Sequence, residues 1–453
     1  MISAGALAFR AAEWLRRSRS RQLLREIEPL ARLSPEAARA LQFERLSRLL
    51  AHAEERVPYY RELFDSMGIT SRDIRSVEDL AGLPVLTKEI VRERARDLVR
   101  EDLPLASFSV HHSGGSTGVP LTFYRDAEYQ DASAAGTLRN LRQAGWRPGE
   151  MVAFFWGWNE RLNRMSRWEF EFRQWLRRMY QFDPFQSGPE EMDRWLRRWR
   201  TLRPSTALGY ASTIARFARH VEESGTRLPP LRGVFTTAEK LYPQQREVIS
   251  RVFSCRVFDC YGSSEVQNIA AECPHGRMHV NADYVVLEVD GDGAPGEPAP
   301  FLLTSLWNYA MPFIRYRNED RGSLLPGTCD CGNGFPLMDL SVARTSDNFP
   351  LPNGRVVHGE FFTHLMYGSE GIASFQFHQT ATDRVVLYVV PGPGSAAARE
   401  RAVRSAVEQV QSLAPGLVVV EARTVDTIPL SSAGKHRFTR SDVVTSAAGE
   451  GVV

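Results

Sequence analysis

"GVFTTAE" (233–239), "YPQQREVISRVF" (242–253) and "CRVFDCYG" (255–262) follow one another almost without a gap. The first and third segments are short, apolar and bounded by turn residues, as buried strands are; the middle one reads as a helix. Strand, helix, strand at this spacing predicts α/β layering with parallel strands. The pattern extends outward. "MVAFFWG" (151–157) and "STALGY" (205–210) are further strand-like runs, and "ASTIARFARHVEESG" (211–225) is a further helix. Towards the N-terminus, 36–66 and 86–100 read as helices. From about 284 the helices stop, and "YVVLEVD", "FLLTSL" and "FIRYR" predict an antiparallel or barrel-like subdomain. After about 346 a small unit follows: strands "ASFQFHQT" and "RVVLYVV", a helix over 396–413 and the strand "LVVVEA". The predicted class is therefore α/β. A large domain, 1–345, carries layered sheets, the barrel-like subdomain and a helical extension over about 1–100. A small α+β domain covers 346–453.

The chain has 453 residues and a formal net charge of +2, with 43% hydrophobic and 24% charged residues, values ordinary for a globular protein. Near-neutral balance argues against a dedicated nucleic-acid binder. No apolar run reaches the roughly 18 residues of a transmembrane helix. "MISAGALAFRAAEWLRRSRS" is interrupted by Arg10 and Glu13 and has its basic residues after the apolar ones, so it reads as an amphipathic surface helix and not a secretory signal. Five cysteines make no disulfide framework at this size, and the expected compartment is a reducing cytoplasm. Over 164–204, Arg alternates with Trp and Phe. The expected form is two amphipathic helices with Trp and Leu inward and Arg wet, with a polyanion site as the rival reading.

"HHSGGSTGVP" (111–120) concentrates glycines and hydroxyls. Alone it is ordinary loop chemistry. It also suits a phosphate cradle, because glycines let backbone N–H groups close on anionic oxygens. It matches neither the Walker loop nor the dinucleotide fingerprint. "YGSSE" (261–265) ends a predicted strand in a polar turn, where open α/β sheets place ligands. Tyr261 offers a ring for a base, Ser264 a hydroxyl and Glu265 a hard oxygen for Mg²⁺. "TTAE" (236–239) ends the preceding strand in the same way. "RYRNED" (315–320) sets Asp320 where it suits ribose hydroxyls, "ARTSD" (343–347) lies at the proposed domain boundary, and "IPLSSAGKHRFTRS" carries Lys435 in a chain whose basic residues are mostly Arg.

In this order and spacing the motifs resemble the adenylate-forming superfamily of acyl-CoA synthetases, adenylation domains and luciferases. Within it they are most similar to the phenylacetate–CoA ligase branch and its CapK-type members. "SGGSTGVP" resembles the family's phosphate loop, "TAE" its adenine-site turn and "YGSSE" its Tyr-Gly-x-Ser/Thr-Glu turn. "PFIRYRNED", "ARTSD" and "IPLSSAGKHR" resemble its ribose segment, hinge and C-terminal lysine loop, and "AEERVPYYRELF…LAGLPVLTKE" (53–89) its N-terminal helical region. The likeness spans about 45–440.

The resemblance implies ATP-dependent activation of a carboxylic acid as acyl-AMP, with release of pyrophosphate. Transfer to CoA would follow, or to an amine or a carrier-protein thiol. It implies that Ser113, Ser116 and Thr117, with Gly114, Gly115 and Gly118, hold phosphate. Thr237, Ala238, Glu239, Tyr261, Gly262 and Ser264 would surround the nucleotide, Asp320 and Arg344 its ribose or phosphate. Glu265 would hold Mg²⁺, Asp347 would be the hinge and Lys435 would bridge the carboxylate and the phosphate oxygens. Many members carry Lys before the loop's proline; here it is Val119. A nucleotide-binding protein without turnover is the remaining reading, against which Glu265, Asp320 and Lys435 stand, since binding alone needs no such lysine. The acid is expected near Trp156, Trp158, Tyr210 and Thr236, and the rings of the first three favour an aromatic or apolar acid. Cys329 and Cys331 of "TCDCGNG", with Cys273 and either His279 or His275, match a structural Cys₃His zinc site. Cys255 and Cys260 are expected in the core, and the protein to be a monomer or homodimer.

Overall fold

The computed structural model describes residues 4–112, 121–156, 166–183, 189–291, 298–340, 349–354, 356–357, 362, 365–366, 369–429 and 437–443. The N-terminal part is helical: α1 (Ala4–Arg16), α2 (Ser20–Ile27), α3 (Pro35–Arg56), α4 (Pro58–Met67) and α5 (Lys88–Glu93). Ser34 caps α3 by accepting from Ala37 N at 3.2 Å. The helix expected over 36–66 is two helices, because Val57, directly before Pro58, is extended (φ −117°, ψ 111°). The helix expected over 86–100 shrinks to α5. Beyond it the chain continues only in isolated turns, with Leu98 N bonding Arg94 O at 3.1 Å, and then bonds elsewhere, Arg100 N to Ala310 O at 3.0 Å and Glu101 N to Arg56 O at 2.9 Å.

A hairpin of β1 (Ser109–His112) and β2 (Thr122–Arg125) precedes the main sheet. Five strands of that sheet are parallel: β3 (Val152–Phe155), β4 (Met179–Phe182), β5 (Thr206–Tyr210), β6 (Gly233–Thr237) and β7 (Arg256–Tyr261). The antiparallel stretch adds β8 (Ala270–Glu272), β9 (Met278–Val280), β10 (Val285–Val289), β11 (Ala299–Ser305), β12 (Tyr316–Leu325) and β13 (Leu337–Asp339). All eleven form one order, β10-β11-β12-β13-β9-β8-β7-β6-β5-β3-β4. Strand β4 was absent from the sequence reading. It begins directly after Arg178, whose positive φ of 56° ends the preceding helix.

Successive residues of the parallel strands face opposite sides. Ala153, Phe155, Ala207, Val234 and Val257 join a core with Trp195, Trp199 and Phe217. Val152, Leu208, Phe235 and Phe258 join another with Leu138 and Leu141. Helices on both faces explain why these strands read as unbroken apolar runs. The helices are α6 (Ala127–Gln143), α7 (Arg167–Arg177), α8 (Pro189–Leu202), α9 (Ala211–Glu223) and α10 (Pro243–Phe253). Of the two Arg/Trp helices, α8 turns Trp195 and Trp199 into the core as expected, whereas α7 leaves Trp168, Phe172 and Trp175 exposed. Cys260 packs against one core and Cys255 against the other.

Helix α6 is pinned to the sheet by a buried ion pair. Arg139 reaches Asp283 at 2.7 Å and donates to Asn281 Oδ1 at 2.9 Å.

The described chain divides into two compact units, 1–318 with 322–340, and 319–321 with 341–453. The second unit has the sheet order β18-β17-β16-β19, from β16 (Ile372–Ala381), β17 (Arg384–Pro391), β18 (Val419–Thr424) and β19 (Thr439–Ser441). The short pair β14 (Phe349–Pro350) and β15 (Val356–Val357) and the helix α11 (Ala396–Ser412) complete it, around Phe375, Phe377, Leu387 and Val410.

Gly209 is the tightest point of the parallel block. Its φ is +151°, and a Cβ there would stand 2.1 Å from the Phe155 carbonyl oxygen of the neighbouring strand. Gly209→Ala is expected to destabilise the protein by about 2–3 kcal/mol through forced strand separation. Urea unfolding at constant slope measures it, and a neutral result excludes this account.

Candidate functional site

The parallel strands end level with one another. Phe155 pairs with Gly209, Gly209 with Thr236, Tyr210 with Thr237 and Thr237 with Cys260. This register brings Trp156, Tyr210, Thr237 and Tyr261 to one edge, the carboxyl ends where open sheets bind ligands. Trp156 stacks on Phe154 at 5.5 Å and lies 4.6 Å from the Tyr210 ring. Thr236 is fully buried and donates to Asp259 Oδ1 at 2.9 Å. Beyond β6 the chain reverses at Ala238, with φ 68°. Glu239 then accepts from Ser212 N at 2.9 Å, satisfying an amide at the start of α9.

The turn after β7 is held on three sides. Tyr261 accepts from Asn318 Nδ2 of β12 at 2.6 Å. Ser263 and Val266 close the turn on each other, with Ser263 N donating to Val266 O at 2.8 Å and Val266 N to Ser263 Oγ at 3.0 Å. Arg125, buried at the end of β2, donates to the Ser264 carbonyl. From α6, Tyr129 accepts from Gln267 N at 2.9 Å and the Ser133 carbonyl accepts from Asn268 at 3.0 Å. Gly136 permits that approach, since a Cβ there would sit 2.7 Å from Asn268 Nδ2. Glu265 is thereby fixed and buried, with one carboxylate oxygen accepting from Tyr316 OH at 3.2 Å. Asp320 is buried on β12, two residues beyond Asn318.

Residues 113–120, Trp158, Arg344, Asp347 and Lys435 lie outside the described residues. The strands that flank 113–120 are described, with His112 paired to Thr122. Among the remaining expected residues the structure gathers Trp156, Tyr210, Thr237 and Tyr261 at one edge and sets Glu265 on the turn beyond. It also brings Cys273, His279, Cys329 and Cys331 together, whereas His275 is exposed and outside that group. The sequence reading missed Arg125, Tyr129, Tyr316 and Asn318. Arg125 offered one signal, its place five residues beyond the Gly/Ser loop.

Asp259 was also missed. It is half-buried beside Thr236, accepts from Cys260 N at 3.1 Å and lies beside Glu272, which pairs with Arg246 at 2.7 Å. Burial is the main cause that pushes its carboxyl up to about 7. The Thr236 hydroxyl opposes the shift, Glu272 adds to it and Arg246 opposes it.

No family model matches the chain. In fold it resembles 2-hydroxyisobutyryl-CoA ligase in its postadenylation state with an acyl-AMP. The TM-score there is 0.71, at 21% identity over 91% of each chain. The thioesterification state of the same enzyme gives 0.58, with 90% of each chain covered. The first of these structures holds an acyl-AMP, the second an acyl-AMP and CoA. In sequence, phenylacetate–coenzyme A ligase of Thermus thermophilus is 30% identical over 339 residues, covering 71% of this chain and 73% of the relative. That of Escherichia coli is 30% identical over 355 residues, covering 71% and 74%. Protein CapK of Staphylococcus aureus is 21% identical, covering 77% and 78%. The chain belongs to the phenylacetate–CoA ligase family of adenylate-forming enzymes.

The raised Asp259 carboxyl makes stability pH-dependent. The unfolded chain releases this proton near the ordinary value of 3.8, the folded chain only near 7. Between these values the folded state holds more protons, so stability falls as pH rises through the window and stays lower above it. Asp259→Asn removes that loss. From pH 5 to pH 8 the variant should gain about 2–3 kcal/mol on the parent, read by urea unfolding at both pH values. An unchanged difference excludes the assignment.

Proposed function

We propose that this protein activates a carboxylic acid with ATP as an acyl adenylate, releases pyrophosphate and passes the acyl group to the CoA thiol as a thioester, with AMP as the leaving group. One observation carries the reading. The strand register sets an aromatic wall, Trp156 and Tyr210, beside Thr237 and Tyr261, with the buried Glu265 on the turn beyond. An acid and a nucleotide need to lie side by side for this reaction, and family membership at 30% identity supports it. The rings favour an aromatic or apolar acid. The five unbridged cysteines are consistent with a cytoplasmic setting, and among the described residues no helix is long and apolar enough to cross a membrane.

The substrate carboxylate attacks the α-phosphorus in line, and the bond to pyrophosphate breaks. Such a displacement needs positioning and charge stabilisation more than covalent help. Tyr261 presents its ring to the base, and the bond from Asn318 fixes its hydroxyl. Asp320 and Arg344 serve the ribose and phosphate, and residues 113–118 the phosphates through backbone amides and hydroxyls. Glu265 fits a Mg²⁺ site: it is a buried hard-oxygen donor oriented by Tyr316, and Mg²⁺ typically takes one or two carboxylates beside phosphate oxygens. When bound, Mg²⁺ would neutralise charge on the phosphates. In this proposal residues 1–345 bind ATP and acid, 346–453 bring Lys435, and Asp347 is the hinge.

A pyrophosphate-release screen over a panel of carboxylic acids, with and without CoA, tests the reading. An acyl-CoA product supports it. Turnover that consumes an amine or carrier thiol instead replaces the acceptor, and no release with any acid overturns the proposal. Glu265→Gln should raise the Mg²⁺ needed for half-maximal adenylation about tenfold or more while the fold holds. Full activity at limiting Mg²⁺ excludes that role. Lys435→Ala should lower acyl-AMP formation by about 10²–10³-fold, the effect of losing one preorganised donor to the transition state. ATP affinity and the second half-reaction, started from presynthesised acyl-AMP, should change little. Acyl-AMP formation at the parent rate excludes the assignment.

A further inference from the structure

We propose that Cys273, His279, Cys329 and Cys331 bind one Zn²⁺, and that the ion clasps the loop between β12 and β13 to the β8–β9 hairpin. The four ligand atoms lie within 4.8 Å of one another, room for a single ion. Two of the pair distances match those across a tetrahedral zinc site. Zinc–sulfur bonds of about 2.3 Å set two sulfurs about 3.8 Å apart, and with a zinc–nitrogen bond of 2.0–2.1 Å set sulfur and nitrogen about 3.5–3.6 Å apart. Cys273 Sγ and Cys329 Sγ are 3.8 Å apart, and Cys331 Sγ and His279 Nε2 3.4 Å.

The surroundings prepare each ligand. His279 Nδ1 donates to the Phe335 carbonyl at 3.0 Å, which leaves the Nε2 lone pair facing the sulfurs, the outer bond that zinc-ligating histidines make. Cys273 Sγ accepts the amide of His275 at 3.3 Å and Cys331 Sγ that of Asn333 at 3.4 Å. Each of these two sulfurs thus accepts an N–H from two residues downstream, which holds it in place. Three sulfurs and an imidazole favour Zn²⁺ over Mg²⁺ or Ca²⁺, which take oxygen. With four protein ligands there is no open position, so the site is structural. Its place gives the clasp a purpose. Strand β8 pairs with β7 at Tyr261 and Cys260, β9 pairs with β13 at His279 itself, and β12, upstream of Cys329, carries the Asn318 that bonds Tyr261. The ion would tie two of the chain segments that reach Tyr261.

The full chain is purified without chelator and its metal measured by mass spectrometry. The expected content is about one zinc per chain. Cys331→Ser should lose most of it and melt at a lower temperature, and Cys255→Ser should retain it. Exchange of the unmodified chain into Co²⁺ should give the intense visible bands of a tetrahedral site and near-ultraviolet thiolate charge transfer. This arm holds even if Cys331→Ser fails to fold. A metal content far below one per chain that Zn²⁺ addition does not raise, octahedral Co²⁺ bands, or a Cys273–Cys329 disulfide in the purified protein would each overturn the site.

Discussion

The buried pair of Arg139 and Asp283 is the constraint on which the site's geometry rests. Both side chains are withdrawn from water, so each charge is tolerable only opposite the other, and losing one partner of such a pair costs about 3–5 kcal/mol. The network does not stop at the pair. Arg139 also donates to Asn281, and Asn281 donates to the Asn268 carbonyl at 2.9 Å, at the far end of the turn that carries Glu265. The same helix holds that turn a second time, through Tyr129 and Ser133. The Asp283 carbonyl in turn accepts from Trp307 Nε1 at 2.9 Å. One buried charge pair therefore sets helix, turn and sheet against each other, and hydrogen bonds of this kind are directional where apolar packing is not.

Strand register is the complementary constraint. Because side chains alternate faces, the same pairing that buries Phe155, Ala207 and Val234 under one layer of helices sends Val152, Leu208 and Phe235 under the other. A slip by one residue would exchange the two layers. The register also decides which residues emerge at the carboxyl edge. Core packing thus fixes the spacing of Trp156, Tyr210 and Tyr261 without any of them having to be specified for that position. The glycine at 209 is the local cost of bringing β3 and β5 close enough there.

The residues proposed to face ligands stand at loops and strand ends, whereas the groups that orient them come from distant parts of the chain. Glu265 is oriented by Tyr316 and its turn by Arg125, which lies some 140 residues before it. Asp259, half-buried between Thr236 and Glu272, is a different case: a carboxyl inside a strand that the local apolar pattern presents as core. Burial raises its affinity for a proton because the low-dielectric interior disfavours charge.

Much of the architecture was legible in the residues. Short apolar runs bounded by turn residues marked four of the five parallel strands within a residue or two, because strands covered on both faces leave a continuous apolar signature. The motif order pointed to the adenylate-forming enzymes and placed Tyr261 and Glu265 at a strand end, since a polar Gly-containing turn after such a run is a local signal. The break at Val57–Pro58 was itself a local signal, since proline restricts the residue before it. What local pattern could not carry came out differently: a short helix read as long, an unread strand at Met179–Phe182, and an α7 whose Trp168, Phe172 and Trp175 stay exposed. Those outcomes depend on which partner the chain meets. The same holds for the choice of His279 over His275 beside the cysteines, and for Arg125, Arg139 and Asn318. Periodicity and composition report how a segment meets water, and the sequence by itself determined that. Which charge meets which across the fold was decided only by the tertiary structure, because a hydrogen bond or ion pair depends on distances of about 3 Å between residues far apart in the chain.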